Sequence, residues 1–181
     1  PYLGNWVSFH YFAIRKMYFA MLSEGFISCD GGWGTRDEFW EMCTLVQTGK
    51  TPLMPIIALT NNGHRLRDEI ESTIANGFVS EADRHLIDIV DSPRKAVAVL
   101  QNYYRIVKRV RYTRDWDIEI KVKRPVPKSH RDAMSNYSKK YPGVFGEMLF
   151  SRERVLVKGF TFKSYGHLGR LIDALIGQEK F

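Results

Sequence analysis

The sequence predicts an α/β fold, a parallel sheet whose strands are joined by helices, with an α+β appendage following it. Three observations carry that expectation. Short apolar runs at residues 26–29, 53–59 and 86–90 alternate with segments of helical periodicity, the pattern of strand-to-strand crossovers in a parallel sheet. A glycine-rich turn, Asp30-Gly31-Gly32-Trp33-Gly34, closes the first run and opens a helix. Beyond Arg109 the period changes, with Ile118, Ile120 and Val122 interleaved with Glu119, Lys121 and Lys123, as in a strand with one wet face. The expected division is residues 1–108 for the parallel α/β region and 109–181 for a basic appendage packed on it.

Taken in order, residues 9–22 read as a helix, with Ile14, Tyr18, Met21 and Leu22 at core spacing, Ser8 as its cap and Gly25 to end it. The strand at 26–29 and the glycine turn lead to a helix opening at Thr35 that carries Phe39, Met42, Cys43 and Val46 on one side and stops at Gly49. The strand at 53–59 contains Pro55, which cannot donate to a ladder and so points to a sheet edge. Asn61-Asn62-Gly63 turns into a helix marked by Leu66, Ile70 and Ile74, ending by Gly77. After an acidic turn at 80–83 and a strand at 86–90, Asp91-Ser92-Pro93 announces a helix to about Val107, burying Val97, Leu100, Tyr104 and Val107. Pro125, Pro127, Pro142 and Gly143 punctuate the appendage, with a strand at 155–162 and a closing helix at 168–176.

The strand, glycine turn and helix start together make a cradle for an anion. Glycines permit positive φ and close approach, while the first turn of a helix offers unpaired N–H groups and a partial positive charge. Thr35 and Glu38 also fit the capping box S/T-x-x-E/Q, so a plain helix cap stands beside the phosphate cradle. Residues 29–38, CDGGWGTRDE, resemble the P-G-G-x-G-T-x-x-E signature of the Lonely-Guy (LOG) phosphoribohydrolase family, formerly labelled lysine decarboxylases. Arg15-Lys16 in FAIRKMYFAM resembles that family's R-K-x-x-M/F helix, and LVQTGK at 45–50 resembles its L-x-Q-T-G-K helix end. FVSEADRHLIDIVDSP and VLVKGFTFKSYGHLGRLIDAL resemble segments of its longer, bacterial-type members.

That resemblance implies a Rossmann-like sheet and hydrolysis of the N-glycosidic bond of a nucleoside 5′-monophosphate, of the AMP or cytokinin riboside monophosphate type. It implies Arg15 and Glu38 as catalytic residues, with Gly31, Gly32, Gly34, Thr35 and Lys16 holding the phosphate and nucleotide. No cofactor is implied, and a homodimer is. Two departures stand out: Asp30 replaces the family's proline, bringing a negative charge beside the cradle, and only a short stretch precedes Arg15, where the family has further strands and a second glycine-rich loop. The chain, which begins at Pro1, is therefore expected to be a fragment with a sheet incomplete on its N-terminal side. The alternative is a module that binds nucleotide without turning it over.

Composition bounds the rest. With 181 residues and 44% hydrophobic content the chain suits one globular core. No apolar run is long enough for a membrane span and no leader precedes the first helix, so a cytoplasmic location is expected. Cys29 and Cys43 read as buried free thiols. His64, His85, His130 and His167 are scattered without ligand spacing, which argues against a metal site. Trp6, Trp40 and Trp116 read as packing residues, whereas Trp33 lies in the loop and is placed to cover a ligand. Net charge is +7, and residues 105–140 hold twelve Lys/Arg against four Asp/Glu. Nucleic acid is one partner for such a window, but no recognised nucleic-acid motif accompanies it, which favours a solvated face.

Overall fold

The computed structural model describes residues 7–113, 117–161 and 165–178; Trp6, Trp116 and the end of the strand expected at 155–162 lie outside them. Three strands form the parallel sheet in the order β1 (Phe26–Cys29), β2 (Ile56–Leu59), β3 (Ile87–Val90), with Phe26 opposite Ile56 and Ile56 opposite Ile87. Parallel neighbours require crossovers, and helices α2 (Trp33–Gln47) and α3 (Gly63–Ala75) supply them. The strand containing the apolar run 53–59 is the central one, not an edge. Pro55 stands just before the ladder, where its missing N–H costs nothing, and its carbonyl accepts from the Phe26 N–H at 2.9 Å.

Helix α1 (Phe12–Leu22) starts three residues later than its pattern predicts, with Tyr11 rather than Ser8 at its N-cap. Its apolar stripe is also turned away from the core. Ile14, Tyr18, Met21 and Leu22 are exposed, and Ala20 alone is buried, because no other described element of the chain covers that face. In α2 the forecast holds: Phe39, Met42, Cys43 and Val46 are buried, and Gly49 follows with φ +68°. Strand β1 is covered on one face only, so Cys29 is exposed while Cys43 is buried. Helix α4 (Pro93–Ile106) buries Ala96, Tyr103 and Ile106, a face one position away from the one expected, and leaves Val97 exposed. Val107 is buried as the first residue of the next strand.

The second half is an antiparallel sheet in the order β4 (Val107–Tyr112), β5 (Ile118–Val122), β7 (Arg154–Val157), β6 (Met148–Phe150), with helices α5 (Lys128–Lys140) and α6 (Tyr165–Ile176). Strands β4 and β6 and helix α5 escape the sequence reading. Pro127 reads as a breaker, yet it occupies the α5 N-cap, where its fixed φ of −56° suits a helix entry. Glu119, expected on the wet face of β5, is only 5% exposed because two guanidinium groups close over it: Arg111 Nε at 2.5 Å and Arg154 Nη1 at 3.5 Å.

Helix α6 ties the two sheets together. Nine of its twelve residues are buried, and it lies against a 3-10 turn (Glu81–Leu86) that precedes β3. That turn is set by a capping box in which the Asp83 carboxylate accepts from the Ser80 N–H at 2.9 Å. Gly166 and Gly169 allow the contact: a Cβ on Gly166 would lie 2.4 Å from the Ala82 carbonyl carbon. Asp173 is 1% exposed and meets His85 Nδ1 at 3.0 Å, while Gln178 Nε2 donates to Asp88 at 2.8 Å. One apolar cluster runs from Val46 through Ile56 and Ile118 to Leu175. Because backbone cannot yield as a flexible side chain can, Gly166→Ala is expected to destabilise the fold by about 1–3 kcal/mol, read as a lowered denaturant midpoint at unchanged slope; an unaltered midpoint would refute the close packing.

Candidate functional site

The loop after β1 occupies the carboxyl end of a parallel strand, the usual location of a ligand in an open α/β sheet. Helix α2 begins at Trp33, two residues before the expected start, because Gly32 is extended (φ −81°, ψ −160°) and serves as N-cap. Thr35 is therefore the third helical residue, and the capping box with Glu38 does not form. The Gly32 carbonyl accepts from the Arg36 N–H at 3.1 Å, which leaves the N–H groups of Trp33, Gly34 and Thr35 without an acceptor inside the helix. Positive φ is not what the loop glycines supply, since Gly49, Gly77, Gly159 and Gly177 are the described glycines that adopt it. Space is. A Cβ on Gly31 would lie 2.2 Å from Thr35 Oγ1, whereas Gly32 and Gly34 have nothing within 4 Å of that position.

A cleft of about 240 Å³ opens beside this loop, between the carboxyl ends of β1 and β2. Cys29, Asp30, Gly31 and Thr35 form one wall, and Thr60, Asn62 and Arg65 form the other. Arg36 crosses from α2 to α3, donating to both carboxylate oxygens of Glu69 at 2.8 and 2.7 Å. Trp33, expected to cover a ligand, is 92% exposed and does not line the cleft. Asp30 also lines the cleft, so the acidic replacement noted in the sequence does face the space beside the loop.

Lys16 and Glu38 meet on the adjoining face of α2, toward α1. Lys16 Nζ is 2.6 Å from Asp37, 2.6 Å from Glu41 and 3.9 Å from Glu38, with only a tenth of its side chain exposed. Its hydrogen bonds to the Asp37 and Glu41 carboxylates hold its pKa far above the ordinary ammonium value, so Lys16 stays a fixed positive charge. Arg15 is exposed, its guanidinium 4.4 Å above the Phe12 ring. The structure thus joins Lys16 to Glu38 and Gly31 to Thr35, and sets the two groups on adjoining faces of one helix. Among the described residues no three His, Cys, Asp or Glu side chains converge as a metal site requires, and no helix is long and apolar enough to cross a membrane.

Sequence reasoning missed Arg36, Asn62, Arg65 and Glu69. The signal was present, for Arg36 adjoins Thr35 and the Asn61-Asn62-Gly63 turn ends β2 beside the loop that ends β1.

A parallel sheet with a glycine loop feeding a helix start at its carboxyl edge defines the Rossmann-like α/β class. Within that class the chain belongs to the family described as "possible lysine decarboxylase", whose model matches residues 1–100, the LOG family of the sequence resemblance. It is similar to cytokinin riboside 5′-monophosphate phosphoribohydrolase LOG1 of Arabidopsis thaliana, 31% identical over 107 residues, which are 58% of this chain and 50% of that protein. It is likewise similar to LOG3 of the same plant, at 30% identity over 58% of this chain and 49% of that protein. The probable enzyme LOGL2 of rice, Oryza sativa subsp. japonica, is 28% identical over 58% of this chain and 43% of its own length. The chain spans about half the length of the curated relatives it matches.

The two thiols provide a probe of the cleft. Burial pushes the Cys43 thiol up to about 12, leaving it protonated and shielded at neutral pH, whereas Cys29 is exposed on the cleft wall. Iodoacetamide is expected to modify one thiol of the folded protein, at Cys29, and AMP in the cleft is expected to slow that reaction. Modification of both thiols at equal rates would contradict the burial assigned to Cys43.

Proposed function

We propose that the chain hydrolyses the N-glycosidic bond of a nucleoside 5′-monophosphate, of the AMP or cytokinin riboside monophosphate type, to free base and ribose 5-phosphate. One observation carries the reading: the helix whose open N-terminus follows the glycine loop presents the Glu38 carboxylate one turn further on, roughly 5 Å along the axis from Thr35. Membership of the LOG family supports it.

In this account the unpaired N–H groups at the start of α2 hold the 5′-phosphate, with Gly31 and Thr35 shaping its seat. The ribose then extends over the face that carries Glu38. Breaking the bond sends its electron pair to the base nitrogen and leaves positive charge spread over C1′ and the ring oxygen. Glu38 stabilises that charge and orients the water whose oxygen bonds to C1′; the water's O–H bond breaks and the net proton ends on the departing base nitrogen. Arg15 positions the phosphosugar and Lys16 holds Glu38 in place through its cluster. A homodimer fits the same reading, since α1 presents Met17, Met21 and Leu22 at 51, 70 and 77% exposure, an apolar face suited to a second copy.

Asp30 supports a second reading, a module that binds nucleotide without turnover, because its carboxylate lines the cleft where phosphate would sit. Base release separates the two. Wild-type protein is expected to liberate adenine from AMP, and Glu38→Gln to lose about 10²–10⁴-fold of that rate. Asp37→Asn, which breaks a bond to Lys16 on the exposed side of the cluster, is expected to change it by less than ~5-fold. Equal losses in both variants would reduce Glu38 to one charge in the cluster. No release from a folded wild type that still binds AMP would transfer the function to the binding module.

A further inference from the structure

The outer face of the antiparallel sheet is basic in a patterned way, and nothing in the proposed hydrolysis uses it. Along β5 the side chains alternating with buried Ile118, Ile120 and Val122 are Glu119, Lys121 and, one step past the strand, Lys123. Lys121 is the register partner of Arg109 on β4 and of Arg154 on β7. Three cations therefore stand in one row across three neighbouring strands, at steps of about 4.8 Å. Like charges directly opposite one another repel, and no carboxylate belongs to this row. In the next row Glu119 is buried between Arg111 and Arg154, so one carboxylate fixes two guanidinium groups at the sheet surface. Burial opposes its charge, but the Arg111 hydrogen bond and the neighbouring cations outweigh that and hold its pKa below the usual carboxylate range.

A groove of about 870 Å³ runs over this face. Five cations line it, Lys108, Lys121, Lys123, Arg152 and Arg154, against Glu119 and one exposed glutamate. Among the described residues its lining includes one apolar residue, Val122, and no aromatic ring. That composition offers neither the aromatic and apolar anchors of a protein interface nor the apolar wedge of a membrane surface. It also lacks a platform on which bases stack. What it does offer is a spaced set of donors, with guanidinium groups held in place, matched to phosphate oxygens.

We propose that this groove binds the phosphate backbone of nucleic acid, without regard to base sequence. The excess of cations in residues 105–140, read from sequence as a solvated face, is thereby divided: Lys108, Lys121 and Lys123 form the groove with Arg152 and Arg154, and the lysines of α5 remain surface charge. The row and the groove are set by strand register, which the linear sequence does not display.

The test is fluorescence anisotropy of the whole chain with fluorescein-labelled 20-nucleotide RNA of two unrelated sequences and a duplex DNA of the same length. Binding is expected to all three, falling steeply between 50 and 200 mM salt. Lys121→Gln and Arg152→Gln, exposed positions outside the Glu119 ion pairs, are each expected to weaken binding to every probe alike and to lower the salt slope by about one. Lys139→Gln and Lys140→Gln on α5, each removing one charge, are the charge-matched controls and are each expected to leave affinity within ~2-fold. Circular dichroism melts establish that each variant is folded. Absence of binding at 50 mM salt would overturn the proposal. So would a loss in the α5 controls equal to that of the groove variants, or tighter binding to vesicles containing phosphatidylserine or to poly-glutamate than to any nucleic acid probe.

Discussion

The structure depends on one close approach, between the backbone at Gly31 and the side chain of Thr35. Any side chain at position 31 would collide with the Thr35 hydroxyl, at 2.2 Å for a Cβ alone. With that room, the chain leaves β1, crosses three residues and enters α2 at Trp33, its first N–H groups without an acceptor inside the helix. Without it, the loop must lift away and the helix start moves with it. The strand register on one side and the four buried residues of α2 on the other both fix where that crossing falls.

The geometry then divides labour between the faces of α2. One face carries Thr35, Arg36, Phe39 and Trp40 and walls the cleft with α3; the adjoining face carries Asp37, Glu38 and Glu41 and grips Lys16. A 3.6-residue repeat makes this division unavoidable for residues so spaced. It also sets the demand on a substrate, which must begin at the helix start and reach around the helix to meet Glu38. The Arg36–Glu69 pair is exposed and contributes little to stability; it bridges α2 and α3 beside the cleft that both residues line.

Much of the parallel region was legible because its signals are local. Cys29 to Glu38 spells strand end, glycine loop and helix in ten residues, and the buried face of α2 follows from simple periodicity. What failed was whatever depends on partners far along the chain. The stripe of Ile14, Tyr18 and Met21 has core spacing, but spacing does not say what covers it, and in the fold nothing described does. Glu119 alternates like a solvent-facing residue, yet Arg154, distant in sequence, encloses it. Helix α6 starts three residues before the expected 168–176, and Gly166 and Gly169 serve its approach to Ala82 and His85. Arg36 and Arg65 reach the cleft only once two crossovers bring the ends of β1 and β2 side by side.

The account's central claim is that the N-terminus of α2 receives a phosphate. The direct measurement is a titration of the ¹⁵N-labelled chain with AMP and with adenosine, followed by the backbone amide resonances. The account predicts that AMP shifts Gly31, Gly32, Trp33, Gly34 and Thr35 in a saturable way and that adenosine, lacking the phosphate, leaves them unmoved. Amides that respond equally to both ligands, or that stay still while AMP binds elsewhere, would contradict it.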